Sequence, residues 1–293
     1  MSKILIIKTG AAGDVVRTTV LLNVLQGAAV TWVVDDRYRS ILPAHPVLKR
    51  VVNLEQAREI AKNETFDTVL SLEEDRDCAA LAGSVQCRQL KGIYLQHDQF
   101  TYTEDASPWF NLSLYSKLGR EAANEAKSRN IQSFQQLLFS MLGLPFNNEP
   151  YCIYRKNISP EPGLIGIETR VGARWPNKAW TGYAALSRLL EADGYRCIQL
   201  QQRDTITDYL DDIARCSFLI SGDTLAMHVA LAYKIPSIAI FNCTSAAEIH
   251  DYGTMQKIIS PLLQKAFYHT VHDPAITSSV RVDEVYEVFK QTV

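Results

Sequence analysis

Short apolar runs alternate with amphipathic stretches along this chain, and the alternation predicts repeated strand–helix units. "KILIIK" reads as a first strand, "DVVRTTVLLNVL" as a helix and "AVTWVVD" as a second strand. A short helix is expected next, then strands in "RVVNL", "FDTVLSL" and "RQLKGIYL". Such strand–helix alternation implies a parallel sheet with helices on both faces. From Gln96 to Asn130 neither period persists, so long loops and a short helix are expected there. They are either a substrate-facing excursion or a plain surface one. "SFQQLLFSMLGL" then reads as a helix.

"PFNNEPYCIYRKNISPEPG" carries four prolines and little periodicity, which places an inter-domain linker in or near it. The rhythm then restarts. "LIGIE" is a strand, "TGYAALSRLLEADGY" a helix and "RCIQLQ" a strand. "TDYLDDIARC" and "DTLAMHVALAYK" are helices that alternate with the strands "SFLISG" and "IPSIAIF". "AAEIHDYG" is expected as a short helix, and "VDEVYEVFKQTV" as a strong last one, with Val282, Val285, Tyr286 and Phe289 on its apolar side. No internal repeat appears. The fold class is α/β: two Rossmann-like halves with a cleft between them.

Composition narrows the partners. A chain of 293 residues has room for two ordinary domains, and a formal net charge of −2 without a polybasic run argues against nucleic acid as the main partner. The apolar stretch after Lys3 is too short for a signal peptide, and no run approaches the roughly 20 apolar residues of a membrane span. Six scattered cysteines without a C-x-x-C read as reduced thiols of a cytosolic protein, with no zinc site expected.

Candidate chemistry begins at "KTGAAGDVVRTT". The loop Thr9-Gly10-Ala11-Ala12-Gly13-Asp14 lacks the Lys-Ser/Thr of a P-loop and the glycine spacing of a dinucleotide fingerprint. A phosphate there would meet the negative Asp14. Asp14 therefore reads either as a helix N-cap or as a carboxylate held ionised at the sheet edge, able to take a proton from a substrate hydroxyl. "ETRVGARWPNKAW" gathers Arg170, Arg174 and Lys178 in one loop after a strand, a setting suited to a diphosphate or to a solvated basic loop. In "ISGDTLAMHVALAYK", Gly222 makes a tight turn, Asp223 and Thr224 open a helix, and His228 lies one turn on. Together they could hold a nucleotide's phosphate and ribose. Taken singly, Asp223 is an N-cap and His228 a core histidine.

These three segments resemble glycosyltransferase family 9, the bacterial heptosyltransferases and their relatives. "GAAGDVVRTT" is similar to the family's small-x-Gly-Asp loop and "RWPNKAW" to its Lys-x-Trp loop. "SGDTLAMHVALAYKIPSIAIFNCTSAAEIHDYG" is similar to its long Asp-Thr-x-x-x-His signature. The resemblance runs nearly end to end. It implies a GT-B fold, with residues 1–155 as an acceptor-binding domain and residues 156–278 as a nucleotide-sugar-binding domain. It also implies that residues 279–293 form a helix returning to brace the first domain. The implied activity is inverting, metal-independent transfer from a nucleotide-sugar donor, ADP-heptose in the usual case, to a glycan or glycolipid acceptor such as the lipopolysaccharide core. No cofactor is implied. The implied location is the cytoplasm, with room for peripheral contact at the inner membrane.

Carried over by position, Asp14 matches the catalytic base and Lys178 the lysine on the donor phosphates. Thr9, Gly10, Gly13, Arg17, Thr169, Arg174, Asp223, Thr224, Leu225, Ala226 and His228 fall at substrate-binding positions. The chain departs from the family at Leu225, where the best-known members have Gly, and at Asn242-Cys243, where Gly-Pro is usual. The loop after "CIQLQQ" is also short. Competing readings are a non-catalytic nucleotide-sugar binder and a sugar-nucleotide epimerase. Asp75-x-Asp77 has the spacing of a GT-A metal site but reads better as a solvated helix start, and "HTVHD" (His269, His272, Asp273) as a polar loop.

Overall fold

The first strand, β1 (Ser2–Ile7), buries Ile4 to Ile7 in succession, as a strand covered on both faces must. The computed structural model describes residues 1–293, in two compact units, Met1–Tyr154 and Arg155–Val293. After β1 the first unit runs α1 (Ala12–Thr18), β2 (Ala28–Val33), β3 (Leu48–Val52), α2 (Leu54–Asn63), β4 (Phe66–Ser71) and α3 (Arg76–Ser84). β5 (Cys87–Gln96), β6 (Gln99–Tyr102), α4 (Ser107–Phe110), α5 (Arg120–Arg129) and α6 (Phe134–Met141) complete it. The sheet order is β3-β2-β1-β4-β5-β6, parallel except for the hairpin partner β6.

The second unit runs β7 (Glu161–Ile167), α7 (Tyr183–Ala192), β8 (Arg196–Gln199), α8 (Ile206–Ala214), β9 (Cys216–Gly222) and α9 (Leu225–Tyr233). It continues with β10 (Ser237–Phe241), β11 (Met255–Ile259), α10 (Leu263–Ala266), α11 (Pro274–Thr277) and α12 (Val282–Thr292). Its sheet is wholly parallel, in the order β11-β10-β9-β7-β8. Both are Rossmann-like, doubly wound arrangements.

Several elements differ from the expectation. The first helix stops at Thr18 and tightens into a 3-10 turn over Thr19–Asn23. Two adjacent threonines cause this: Thr18 Oγ1 donates to the Asp14 carbonyl (2.7 Å) and Thr19 Oγ1 to that of Val16 (2.5 Å). The stretch expected to hold long loops and a short helix also contains β6, made by a two-residue turn with His97 and Asp98 at φ 49° and 63°. Its helices are α4 and α5, and α5 buries only Ala123 and so shows no apolar stripe. "AAEIHDYG" forms no helix. Lys257 Nζ donates to the carbonyls of Ala246 (3.0 Å) and Ile249 and holds that segment as a loop.

The apolar stripe of α12 is buried in the core of the second unit: Phe289 packs on Phe218 and Tyr195, with ring centroids 4.9 and 5.1 Å away.

Candidate functional site

In a doubly wound sheet, ligands bind beyond the carboxyl ends of the strands where the strand order reverses. That point lies between β1 and β4 in the first unit and between β7 and β9 in the second. The candidate residues collect at these two points.

In the first unit, Lys8 leaves β1 as a buried lysine, with its ammonium 3.2 Å from Glu73 Oε2 and 3.7 Å from Asp14 Oδ2. Arg17, one helical turn after Asp14, places Nη2 2.8 Å from Asp14 Oδ1, and its guanidinium lies 4.0 Å over the Phe134 ring. Each oxygen of Asp14 therefore faces its own cation. Glu73, just past the end of β4, accepts from the Thr9 amide (3.0 Å), the Gly10 amide (2.9 Å) and the Thr9 hydroxyl (3.0 Å). A Cβ at Gly10 would lie 3.3 Å from the Tyr38 ring, so glycine keeps the loop close to that side chain. The N-cap reading of Asp14 does not hold. Ala11 is the N-cap, without a side-chain bond; Gly13 and Asp14 belong to the first turn itself. The Asp14 carboxylate is thus oriented by cations rather than spent on the helix end.

In the second unit, Lys178 ends a 3-10 turn over Pro176–Lys178 and reaches the start of α9. Its ammonium donates to Asp223 Oδ2 (2.7 Å) and to the Asp223 carbonyl (2.9 Å). Thr244 Oγ1 donates to the same carboxylate oxygen (2.9 Å), and His228 Nε2 stands 4.0 Å from the other one. Burial alone would raise the Asp223 carboxyl. The Lys178 ammonium, His228 and the two hydrogen bonds outweigh it and hold the group well below the usual carboxylate range. An ammonium has three donors, and Asp223 takes two of those on Lys178. Thr224, rather than Asp223, is the N-cap, and its buried Oγ1 has no hydrogen-bond partner.

Asn177 positions Lys178. Wholly buried, it donates to the carbonyls of His269 (3.2 Å) and Val271 (2.7 Å) and accepts from the Asp273 amide (2.8 Å). The "HTVHD" segment is therefore a brace for the lysine turn. Asn242 donates to the Ala179 carbonyl (2.7 Å) on the other side of that turn.

Other expected residues stand differently. Arg170 folds onto buried Glu168 through Nη2 (2.6 Å) and Nε (3.0 Å), while Tyr209 donates to the same carboxylate (2.5 Å). Arg170 is thus paired with Glu168 inside the second unit. Arg174 is exposed beside Trp175, and Thr169 accepts from Gln199 Nε2 (2.8 Å). Leu225 is half-buried and Ala226 fully buried in the first turn of α9. Asp75 caps α3 by accepting from the Asp77 and Cys78 amides, and Asp77 pairs with Arg58 (2.8 Å).

Lys8, Glu73 and Thr244 were missing from the expected site. Lys8 and Thr244 lie inside the motifs already noted. Glu73 sits in "EEDRD", which looks like a solvated helix start and hides its role.

The matches to known proteins agree with this geometry. The family model for glycosyltransferase family 9 (heptosyltransferase) matches residues 197–275, which include Asp223, Thr224, His228 and Thr244 but not Lys178. Lipopolysaccharide heptosyltransferase 1 of Escherichia coli strain K12 is 21% identical over 308 aligned positions, covering 87% of this chain and 92% of that protein. Among solved structures, the E. coli heptosyltransferase WaaC with ADP superposes with a TM-score of 0.66 at 16% identity, covering 99% of this chain and 100% of that one. A family 9 glycosyltransferase of Veillonella parvula gives 0.65 at 18% identity, covering 99% and 97%. The fold is therefore GT-B, two Rossmann-like units of the heptosyltransferase kind. The motif-bearing segment matches the family 9 model and both units share the heptosyltransferase fold, so the chain is similar to the heptosyltransferase-like glycosyltransferases of that family.

Proposed function

We propose that the chain transfers a heptose or related sugar, with inversion, from an ADP-activated donor to a hydroxyl of the lipopolysaccharide core or another cell-surface glycan. The Lys178–Asp223 cluster at the opening of α9 carries this reading. It sets a cation, a histidine and a helix N-terminus at the second unit's switch point, the combination a leaving diphosphate needs. ADP is the expected nucleotide because a similar E. coli heptosyltransferase was solved with it, and also with ADP-2-deoxy-2-fluoro heptose.

In the reaction the acceptor oxygen bonds to the anomeric carbon as the bond from that carbon to the diphosphate oxygen breaks. The electron pair leaves with the diphosphate, and Asp14 takes the hydroxyl proton. Lys178, with its remaining donor, and the amides at Thr224 stabilise the growing charge, so fixed groups do the work a metal does elsewhere. Arg17 and Lys8 hold the Asp14 carboxylate in one orientation. No helix is long and apolar enough to cross a membrane, so contact with a lipid-borne acceptor at the cytoplasmic face of the inner membrane would be peripheral.

Calorimetry with ADP, UDP, GDP and CMP, then ADP-heptose, on wild type and Asp14→Ala tests the reading. ADP should bind best, with the same affinity in the variant. Turnover on heptose-free lipopolysaccharide should fall about 10²- to 10⁴-fold in Asp14→Ala. Binding of ADP-heptose with no turnover in wild type would favour a non-catalytic sugar-nucleotide binder. No nucleotide binding at millimolar concentration would sink the donor site.

A further inference from the structure

We propose that Glu73 is a positioning residue for the transfer: it clamps the Thr9–Gly10 loop to the end of β4 and, through Lys8, sets where the Asp14 carboxylate stands. The proposal rests on the reading of Asp14 as the base.

The β1–β4 ladder ends with the Leu72 amide donating to the Ile7 carbonyl (2.9 Å). Past that bond the Lys8 amide still donates to the Val33 carbonyl of β2 (3.1 Å), and the two amides after it, those of Thr9 and Gly10, have no strand carbonyl as acceptor. One carboxylate oxygen takes over. Glu73 Oε2 accepts the Thr9 and Gly10 amides and the Thr9 hydroxyl, all within 3.0 Å, and the Lys8 ammonium lies 3.2 Å away. Bonds to an ionised acceptor are roughly twice as strong as neutral ones, and three of these converge on two consecutive loop residues. With the Asp35 amide donating to the Thr9 carbonyl from the β2 side (3.1 Å), this carboxylate fixes the loop just ahead of α1, which carries Asp14.

Charge provides the second link. The Lys8 side chain is only 7% exposed and lies between two carboxylates, Glu73 at 3.2 Å and Asp14 at 3.7 Å. Its nearer partner is Glu73. Without that charge, Lys8 has Asp14 Oδ2 as its remaining carboxylate among these contacts and moves toward it, pulling the Asp14 carboxylate off the line set by Arg17 at 2.8 Å. A misplacement of about 1 Å in a reacting group can cost about 10²-fold in rate.

Glu73→Ala and Glu73→Gln test the clamp. Exchange of the Thr9 and Gly10 amides in the unliganded protein, followed by NMR, reads it without any substrate. In Glu73→Ala those two amides should exchange at least tenfold faster. In Glu73→Gln, whose amide oxygen still accepts, most of the protection should return. With ADP-heptose and heptose-free lipopolysaccharide, Glu73→Ala should lose about 10- to 100-fold in kcat. ADP affinity should stay at the wild-type value, and unchanged exchange of the β1, β2 and β4 strand amides shows that the first unit is folded. Glu73→Gln should recover part of kcat, because it keeps the loop but not the balance of charge on Lys8.

Unchanged amide exchange in Glu73→Ala overturns the clamp. Wild-type kcat in that variant, beside an inactive Asp14→Ala, overturns the positioning role. Full turnover in Asp14→Ala would instead remove the base reading, and with it any catalytic role for the clamp. The exchange data would tell that outcome apart, since protection would still follow Glu73.

Discussion

Asp14 and Asp223 are both aspartates beside a helix start, and the structure uses them oppositely. Asp14 is 37% exposed and held by cations on either side. Asp223 is enclosed and bonded by Lys178 and Thr244, so its carboxylate is part of the site's frame. Its depressed pKa carries a signed consequence. The stabilisation is full above the ordinary carboxylate value of about 4 and is lost as pH falls below it toward the folded value. Acid titration of the second unit, followed by tryptophan fluorescence, should show this loss below about pH 4. Asp223→Asn should remove that pH dependence and cost about 3 kcal/mol at neutral pH, because it leaves the largely buried Lys178 ammonium without its counter-charge. A variant as stable as wild type in urea would show that Lys178 does not need Asp223.

Elements were legible where their chemistry was local. β1, β4, β9, β10 and α9 follow from apolar runs and turn residues. α2 carried a readable signal that went unused: Asn53 and Gln56 form a reciprocal capping box. β6 had none, since it hangs on a His-Asp turn, and α5, which buries a single alanine, was legible only as a short helix without bounds. A glycine decides the β4–β5 pair. Gly92 stands opposite Ser71 at φ +109°, and a Cβ there would lie 1.9 Å from the Ser71 carbonyl oxygen. Gly92→Ala should therefore destabilise the first unit by about 3–5 kcal/mol, read from the urea midpoint. It should also loosen the Thr9 and Gly10 amides, because Glu73 follows Ser71 by two residues. A midpoint within experimental error of wild type would mean that the strand edge yields at no cost.

For the whole molecule, α12 shows how far periodicity reaches. Its stripe announces a buried face without naming the partner; the structure packs Val285 and Phe289 into the second unit's core. Phe289→Ala should cost that unit about 3–5 kcal/mol. Hydrogen exchange over β7, β9 and β10 is the measurement, and undiminished protection there would show the helix to be dispensable.

The sequence by itself determined two doubly wound α/β halves, the loops that end their strands, and Asp14, Lys178, Asp223 and His228 as the groups of interest. Hydrophobic period and turn chemistry act over a few residues, so one chain suffices to read them. Only the tertiary structure decided what those groups face. Lys178 meets an aspartate 45 residues away, and Thr9 and Gly10 meet a glutamate 64 and 63 residues away. Such pairings depend on which strands become neighbours in a sheet. No local pattern encodes that choice, because it is set by how all the buried faces pack at once.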